Sequence, residues 1–220
     1  MWIPERFAMS RDETLELLNG IAAADLITPH GDGVEITYLP WTFDASVGEQ
    51  GSLRAHLARQ NPHADALAAG HAESVVVVHG VDCYVSPKWY VGGGVHQVPT
   101  WDYVVAHVHG HVTVHTDPDW LLAHVREQAE KFEAGFAEPW TIEDAPADFV
   151  AGMCRAIVGV ELTITRIEAK AKLSQNKSPE IVSGIVAGLR GLGDHAAADA
   201  VERANRGKQW PPLRTRYRTD

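Results

Sequence analysis

Histidines 107, 109 and 111 stand two residues apart and are the first grouping here that could do chemistry. Alternate residues of a strand share a face and lie ~7 Å apart, so neighbouring imidazoles can converge on one ion. His107 and His111 would stand ~13 Å apart, too far for all three to hold the same ion. A two-histidine site needs another ligand, and nothing at metal spacing supplies one. The stripe reads equally as a polar strand face at a pocket or subunit boundary, and no metal site is assigned.

Arg59 and Asn61 follow a segment carrying His56. A guanidinium fork and an amide at a strand end suit a phosphate, although a solvated arginine and a helix-capping asparagine would show the same spacing. Trp89-Tyr90 and Trp101-Asp102-Tyr103 put four aromatics around a loop containing Gly92-Gly93-Gly94, either as core plugs or as faces for a planar ligand. Lys172 to Lys177 brings two ammonium groups, a hydroxyl and two amides to the end of a strand pattern, as a cationic site or a solvated turn. No GxGxxG and no GxxxxGK[ST] occurs, so a dinucleotide or P-loop phosphate cradle is excluded.

These residues need elements to position them. Ser10 and Glu13 form a capping-box pattern before Leu15, Leu17 and Leu18, and Gly20 stops that helix. Two short strands, 24–28 and 34–39, flank a glycine turn, and Pro40 ends the second. Residues 43–51 read as a turn-rich link, and 52–57 alternate again. A short helix lies around 64–69. Residues 74–79 suit a buried strand, with a further strand at 82–86. Residues 103–115 alternate throughout. Asp117-Pro118 opens a helix, a second runs over 147–157, and strand period returns at 158–167. Ser178-Pro179 and Asp194 open two late helices. Strands first and helices late predict an α+β, mainly β, barrel with peripheral helices. The chain is read as one domain over 1–220, with a helical C-terminal segment from about 178.

Composition agrees with a globular chain: 45% of residues are hydrophobic and 22% charged. Nineteen basic against 29 acidic side chains give −10, which opposes a chain-wide footprint for nucleic acid or an anionic membrane. Twelve histidines make that field sensitive to pH. Cys83 and Cys154 form no disulfide framework or CxxC pair. No apolar leader or spanning segment is present, so a cytoplasmic protein is expected.

Motifs along nearly the whole chain carry a resemblance: Thr37-Tyr38-Leu39-Pro40, Gly51 to Pro62, Tyr84 to Tyr90, Val98 to Tyr103 with His107, and Lys170 to Lys177. Together they resemble the PaiB-like, FMN-binding split-barrel proteins, often called negative transcriptional regulators. The resemblance implies a six-stranded split β-barrel related to pyridoxamine-phosphate oxidases, forming a homodimer with two FMN sites at its interface. It implies His56, Arg59 and Asn61 on the phosphate side and Thr37, Leu39 and Pro40 beside the ring. Ser86, Trp89, Trp101, Lys172 and Gln175 would line the site. Tyr38 stands where the family usually has histidine, and Asp102 where it has asparagine. Bulk or negative charge there predicts weaker binding of an anionic cofactor. Tyr38 is expected to plug the barrel core.

Two classes of function follow: a flavin-dependent redox protein, in which the cofactor supplies the chemistry, or a regulator. No helix-turn-helix pattern exists, so direct DNA binding is not supported. The tail from Arg206, with Lys208, Arg214, Arg216 and Arg218, reads as a phosphate contact or a loosely ordered terminus. Haem is a further cofactor alternative, because split barrels include haem-binding members. A cofactor-free interaction protein is the remaining alternative.

Overall fold

A computed structural model describes residues 1–31, 33–70, 73–92 and 97–207. Gly93, Gly94 and the basic tail beyond Gly207 lie outside the described residues. Helix α1 (Arg11–Asn19) begins with the expected reciprocal cap between Ser10 and Glu13 and ends at Gly20. Strands β1 (Ala23–His30) and β2 (Gly33–Pro40) form an antiparallel hairpin. Then come β3 (Thr42–Asp44), β4 (Ser52–Ala58), α2 (Pro62–Ala68), β5 (Ser74–Val85) and β6 (Thr100–His115). Helices α3 (Pro118–Glu133) and α4 (Ala147–Arg155) precede β7 (Ile157–Lys172). Helices α5 (Pro179–Gly191) and α6 (His195–Asn205) complete the order. Among the described residues, no helix is long and apolar enough to cross a membrane.

The sheet order is β2-β1-β5-β6-β7-β4-β3. This corrects the six-stranded barrel: seven strands form one open sheet, with β2 and β3 at its edges. The extra strand is β3, only three residues long, too short to show a period and held by pairing with Ser52–Arg54. The two strands expected at 74–79 and 82–86 are one, because Gly80 leaves the ladder unbroken.

Two compact units divide the chain. The first takes Met1, Met9–His79 and Val105–Ala169; the second takes Trp2–Ala8, Gly80–Val104 and the described residues from Lys170 onward. Leu26, Leu53, Val76, Val108 and Val160 are among the buried side chains of the first unit's core. In β2 the inward residue is Leu39, whose neighbour across the hairpin is Ala24. Val34, Ile36 and Tyr38 point the other way and are 57%, 61% and 67% exposed. Tyr38 therefore does not plug the core, since Leu39 already fills the inward position. In the second unit Val85, Leu173, Ile185, Leu189 and Val201 form a separate core.

The outward face of β7 is also committed. Gly159 lies beneath the Trp120 indole, where an added Cβ would come within 2.1 Å of a ring carbon. That indole stacks on His115 at 4.0 Å, and His124 lies beyond it at 5.3 Å. Two residues on, Glu161 receives hydrogen bonds from Arg54 Nε and Ser52 Oγ. Arg54 also pairs with Asp44 at 2.8 Å.

Gly159→Ala should destabilise the fold by roughly 1–3 kcal/mol, because backbone and indole must part. Urea unfolding of the variant with unchanged stability would mean that Trp120 relocates freely. A second expectation concerns acid. His124 is only 2% exposed, and burial, helped by nearby His56 and Arg54, pushes its pKa down to about 3. The folded state holds this imidazole neutral, whereas the unfolded chain protonates it near 6.5. Its stabilisation is therefore complete above pH ~6.5 and declines as pH falls toward the folded value. Wild-type protein should lose about 2–3 kcal/mol more than His124→Phe between pH 7 and 4.5, read from urea midpoints. Equal losses would remove His124 from the acid response.

Candidate functional site

In the first unit, β2 and the start of α2 bring Thr37 and Asn61 together. Asn61 caps α2, its carbonyl oxygen accepting from the His63 backbone N–H at 3.0 Å. Its amide nitrogen contacts Thr37 Oγ1 at 3.5 Å, a long contact that leaves the amide hydrogens largely unspent. His63, missed by the sequence reading, is fully buried and shares a 2.8 Å hydrogen bond with Thr37 Oγ1 through Nδ1. Its Nε2 is buried without a partner. Burial lowers the His63 pKa, opposed by Glu35, so the ring is held neutral. The signal available was a histidine directly after an Asn-Pro helix start.

The other first-unit candidates make different contacts. Leu39 is buried in the core, and Pro40 is exposed with its carbonyl accepting from Gln128 Nε2 at 3.1 Å. His56 Nδ1 is 3.2 Å from His124 Nε2, and burial lowers its pKa. Arg59 donates from Nε to the Arg155 carbonyl and from Nη2 to the Ile157 carbonyl, both at 2.9 Å. Three of its five N–H groups remain for an anion.

In the second unit, β6 and the end of β7 bring Trp101 and Lys172 together with groups the candidate set had omitted. Lys172 donates to Thr100 Oγ1 at 2.8 Å, to the Trp101 carbonyl, and to Asp102 Oδ1 at 3.3 Å. Ser174 donates to the other Asp102 oxygen at 2.6 Å. Asp102 is 0% exposed. Burial raises its pKa, while Ser174 and Lys172 oppose that shift by bonding the charged form. The negative charge expected to repel an anion is thus engaged by an ammonium and a hydroxyl. Ser174 adopts φ 60°, a left-handed conformation that no sequence pattern announced.

Around that cluster, Trp101 is half exposed, donates to Asp82 at 3.1 Å and meets Tyr84 edge-to-face at 6.2 Å. Gln175 is spent locally, accepting from Leu173 N and donating to the Ala171 carbonyl. Ser86 caps a 3-10 turn, Pro87–Trp89. Trp89 packs on α5, where a Cβ at Gly188 would come within 2.4 Å of its ring. Trp89 is thus a core plug of its unit.

The histidine stripe lies on the outward face of β6. His109 is engaged by Glu168 at 3.3 Å, Glu73 at 3.5 Å and Arg166 at 3.1 Å. Among the described residues, no group of three or more His, Cys, Asp or Glu could hold a metal ion.

The donor set fits FMN at its anionic end. The three hydrogens of the partly exposed Lys172 ammonium already meet Thr100, the Trp101 carbonyl and Asp102, so it would face an anion through its charge, and Trp101 with Tyr84 offers apolar surface. Comparisons with known proteins bear on the family. Residues 1–166 match the sequence model of a family described as "Putative FMN-binding domain". Protease synthase and sporulation protein PAI 2 of Bacillus subtilis is 26% identical over 180 residues, covering 81% of this chain and 84% of that protein. A conserved hypothetical protein, Rv2991 from Mycobacterium tuberculosis, shares the fold with TM-score 0.56 and 15% identity, over 78% of this chain and 91% of that one. An FAD and haem binding protein from Mycobacterium smegmatis does so with TM-score 0.53 and 19% identity, over 76% and 74%. With the family's sequence model covering well over half its length, the chain belongs to the PaiB-like FMN-binding family.

Proposed function

We infer that this member of the FMN-binding family is a flavin-dependent redox protein, cytoplasmic and homodimeric. The observation that carries the reading is the buried Asp102 carboxylate holding Lys172 and Ser174. A charge is costly to bury, and here it fixes an ammonium that remains partly open to an incoming anion. FMN, when bound, supplies the electron and hydride chemistry. Lys172 offers its charge to the phosphate, Asp102 restrains that ammonium, and Trp101 with Tyr84 shields the apolar part of the ligand from water. Thr37, Leu39, Pro40, His56, Arg59, Asn61, Ser86, Trp89 and Gln175 are carried into this proposal by the resemblance. Asn61 and Arg59 bring the most unspent hydrogen-bond donors.

A redox role is favoured over direct regulation by the net charge of −10, which opposes approach to a DNA backbone. The haem reading comes second and rests on His111, an exposed imidazole on β6. The dimer is supported by β2, an edge strand with three exposed apolar side chains in a row, a surface that a twofold partner would cover.

The visible spectrum of freshly purified protein should show flavin bands and no Soret band; a Soret band would replace the flavin reading with haem. Lys172→Ala should weaken FMN by roughly tenfold or more, followed by quenching of flavin fluorescence. Arg59→Ala should weaken it by a similar factor if a remaining N–H meets phosphate. Unchanged affinity in a folded variant removes that residue from the site. Light scattering should give twice the chain mass of 24.0 kDa, and a particle of one chain mass at micromolar concentration would refute the dimer.

A further inference from the structure

The first unit holds a cavity of about 580 Å³ walled by α3, α4 and the 3-10 turn Ile142–Asp144. That volume falls within the range of ordinary small-molecule sites, roughly 300–1,000 Å³. Its apolar wall comes from Leu121, Leu122, Ile142 and Val150, and no aromatic side chain lines it. A planar ring would find no stacking partner there, whereas a flexible aliphatic chain would be enclosed by branched side chains of its own kind.

Charge at the cavity runs against the rest of the chain. Three guanidinium groups, Arg59, Arg126 and Arg155, line it beside only two carboxylates, Asp119 and Glu143. Arg126 and Glu143 neutralise each other in an ion pair, and Arg59 is partly spent on two main-chain carbonyls. The guanidinium of Arg155 makes no hydrogen bond or ion pair among the described residues. In a protein of net charge −10, a cavity with surplus positive charge selects against cations and neutral amphiphiles and for an anion.

We propose that this cavity binds an aliphatic carboxylate, its chain against Leu121, Leu122, Ile142 and Val150 and its carboxylate on Arg155. Arg59 lines this cavity and is also carried into the flavin reading, but the carboxylate proposal rests on Arg155 and the apolar wall and does not depend on that reading.

Octanoate is the probe, titrated calorimetrically into the full-length protein. One-to-one binding with a Kd below about 1 mM is expected, at least about tenfold tighter than octanol, which has the chain without the charge. Arg155→Ala, at an exposed position, should weaken octanoate by roughly tenfold and leave octanol unchanged. Ala151→Phe should fill the cavity and abolish binding of both. If that variant fails to fold, methyl NMR of the unaltered protein supplies the location, with octanoate shifting Leu121, Leu122, Ile142 and Val150. No saturable binding at 10 mM (roughly 2.7 kcal/mol in affinity) overturns the proposal. So do an unaltered affinity in Arg155→Ala, methyl shifts elsewhere, or displacement of octanoate by FMN, which would assign the cavity to the flavin.

Discussion

Over its first eight residues, β7 is loaded on both faces, and the first unit is organised around that constraint. Inward, Val158, Val160, Leu162 and Ile164 enter the core. Outward, Gly159 admits the Trp120 ring and Glu161 anchors Arg54. A strand slipped by one residue would drive Glu161 into the core and the valines against the indole. The register of β4 on β7, with Ala55 opposite Val160, follows from this, as does the seat of α3. The ends of α3 and β4 then set the cavity wall and the position of Arg59.

The second unit solves a different problem. It places a carboxylate out of reach of water and answers it with Lys172 and Ser174. Lys172 divides its three donors among Thr100, the Trp101 carbonyl and Asp102, so its position is defined by backbone as well as charge. Where the family usually has asparagine, a carboxylate can accept from both groups and cannot donate to either.

Much of the fold was legible because it is written in local rules. Ser10 with Glu13, Asn61-Pro62, Asp117-Pro118 and Ser178-Pro179 each mark a helix start that the structure places within a residue or two. Strand β3 was not legible, because three residues carry no period. Period-2 alternation puts Tyr38 and Leu39 on opposite faces, yet which face is covered is decided by β1, whose Ala24 meets Leu39. The candidate site was legible in part. Lys172 and Trp101 come together, but Asp102 and Ser174, which complete the cluster, meet across 72 residues of chain. His63 and His124 were hidden for the same reason, since burial is a property of the packed chain and not of spacing.

The bare row of Val34, Ile36 and Tyr38 has a colloidal consequence. At neutral pH a net charge of −10 holds separate molecules apart and opposes non-specific contact through this row. Near the isoelectric point, about 5.6, that repulsion vanishes while the row stays apolar. With that repulsion gone, the same edge is free to adhere without regard to fit, and mild acidity is the condition under which solutions of this protein are expected to turn cloudy.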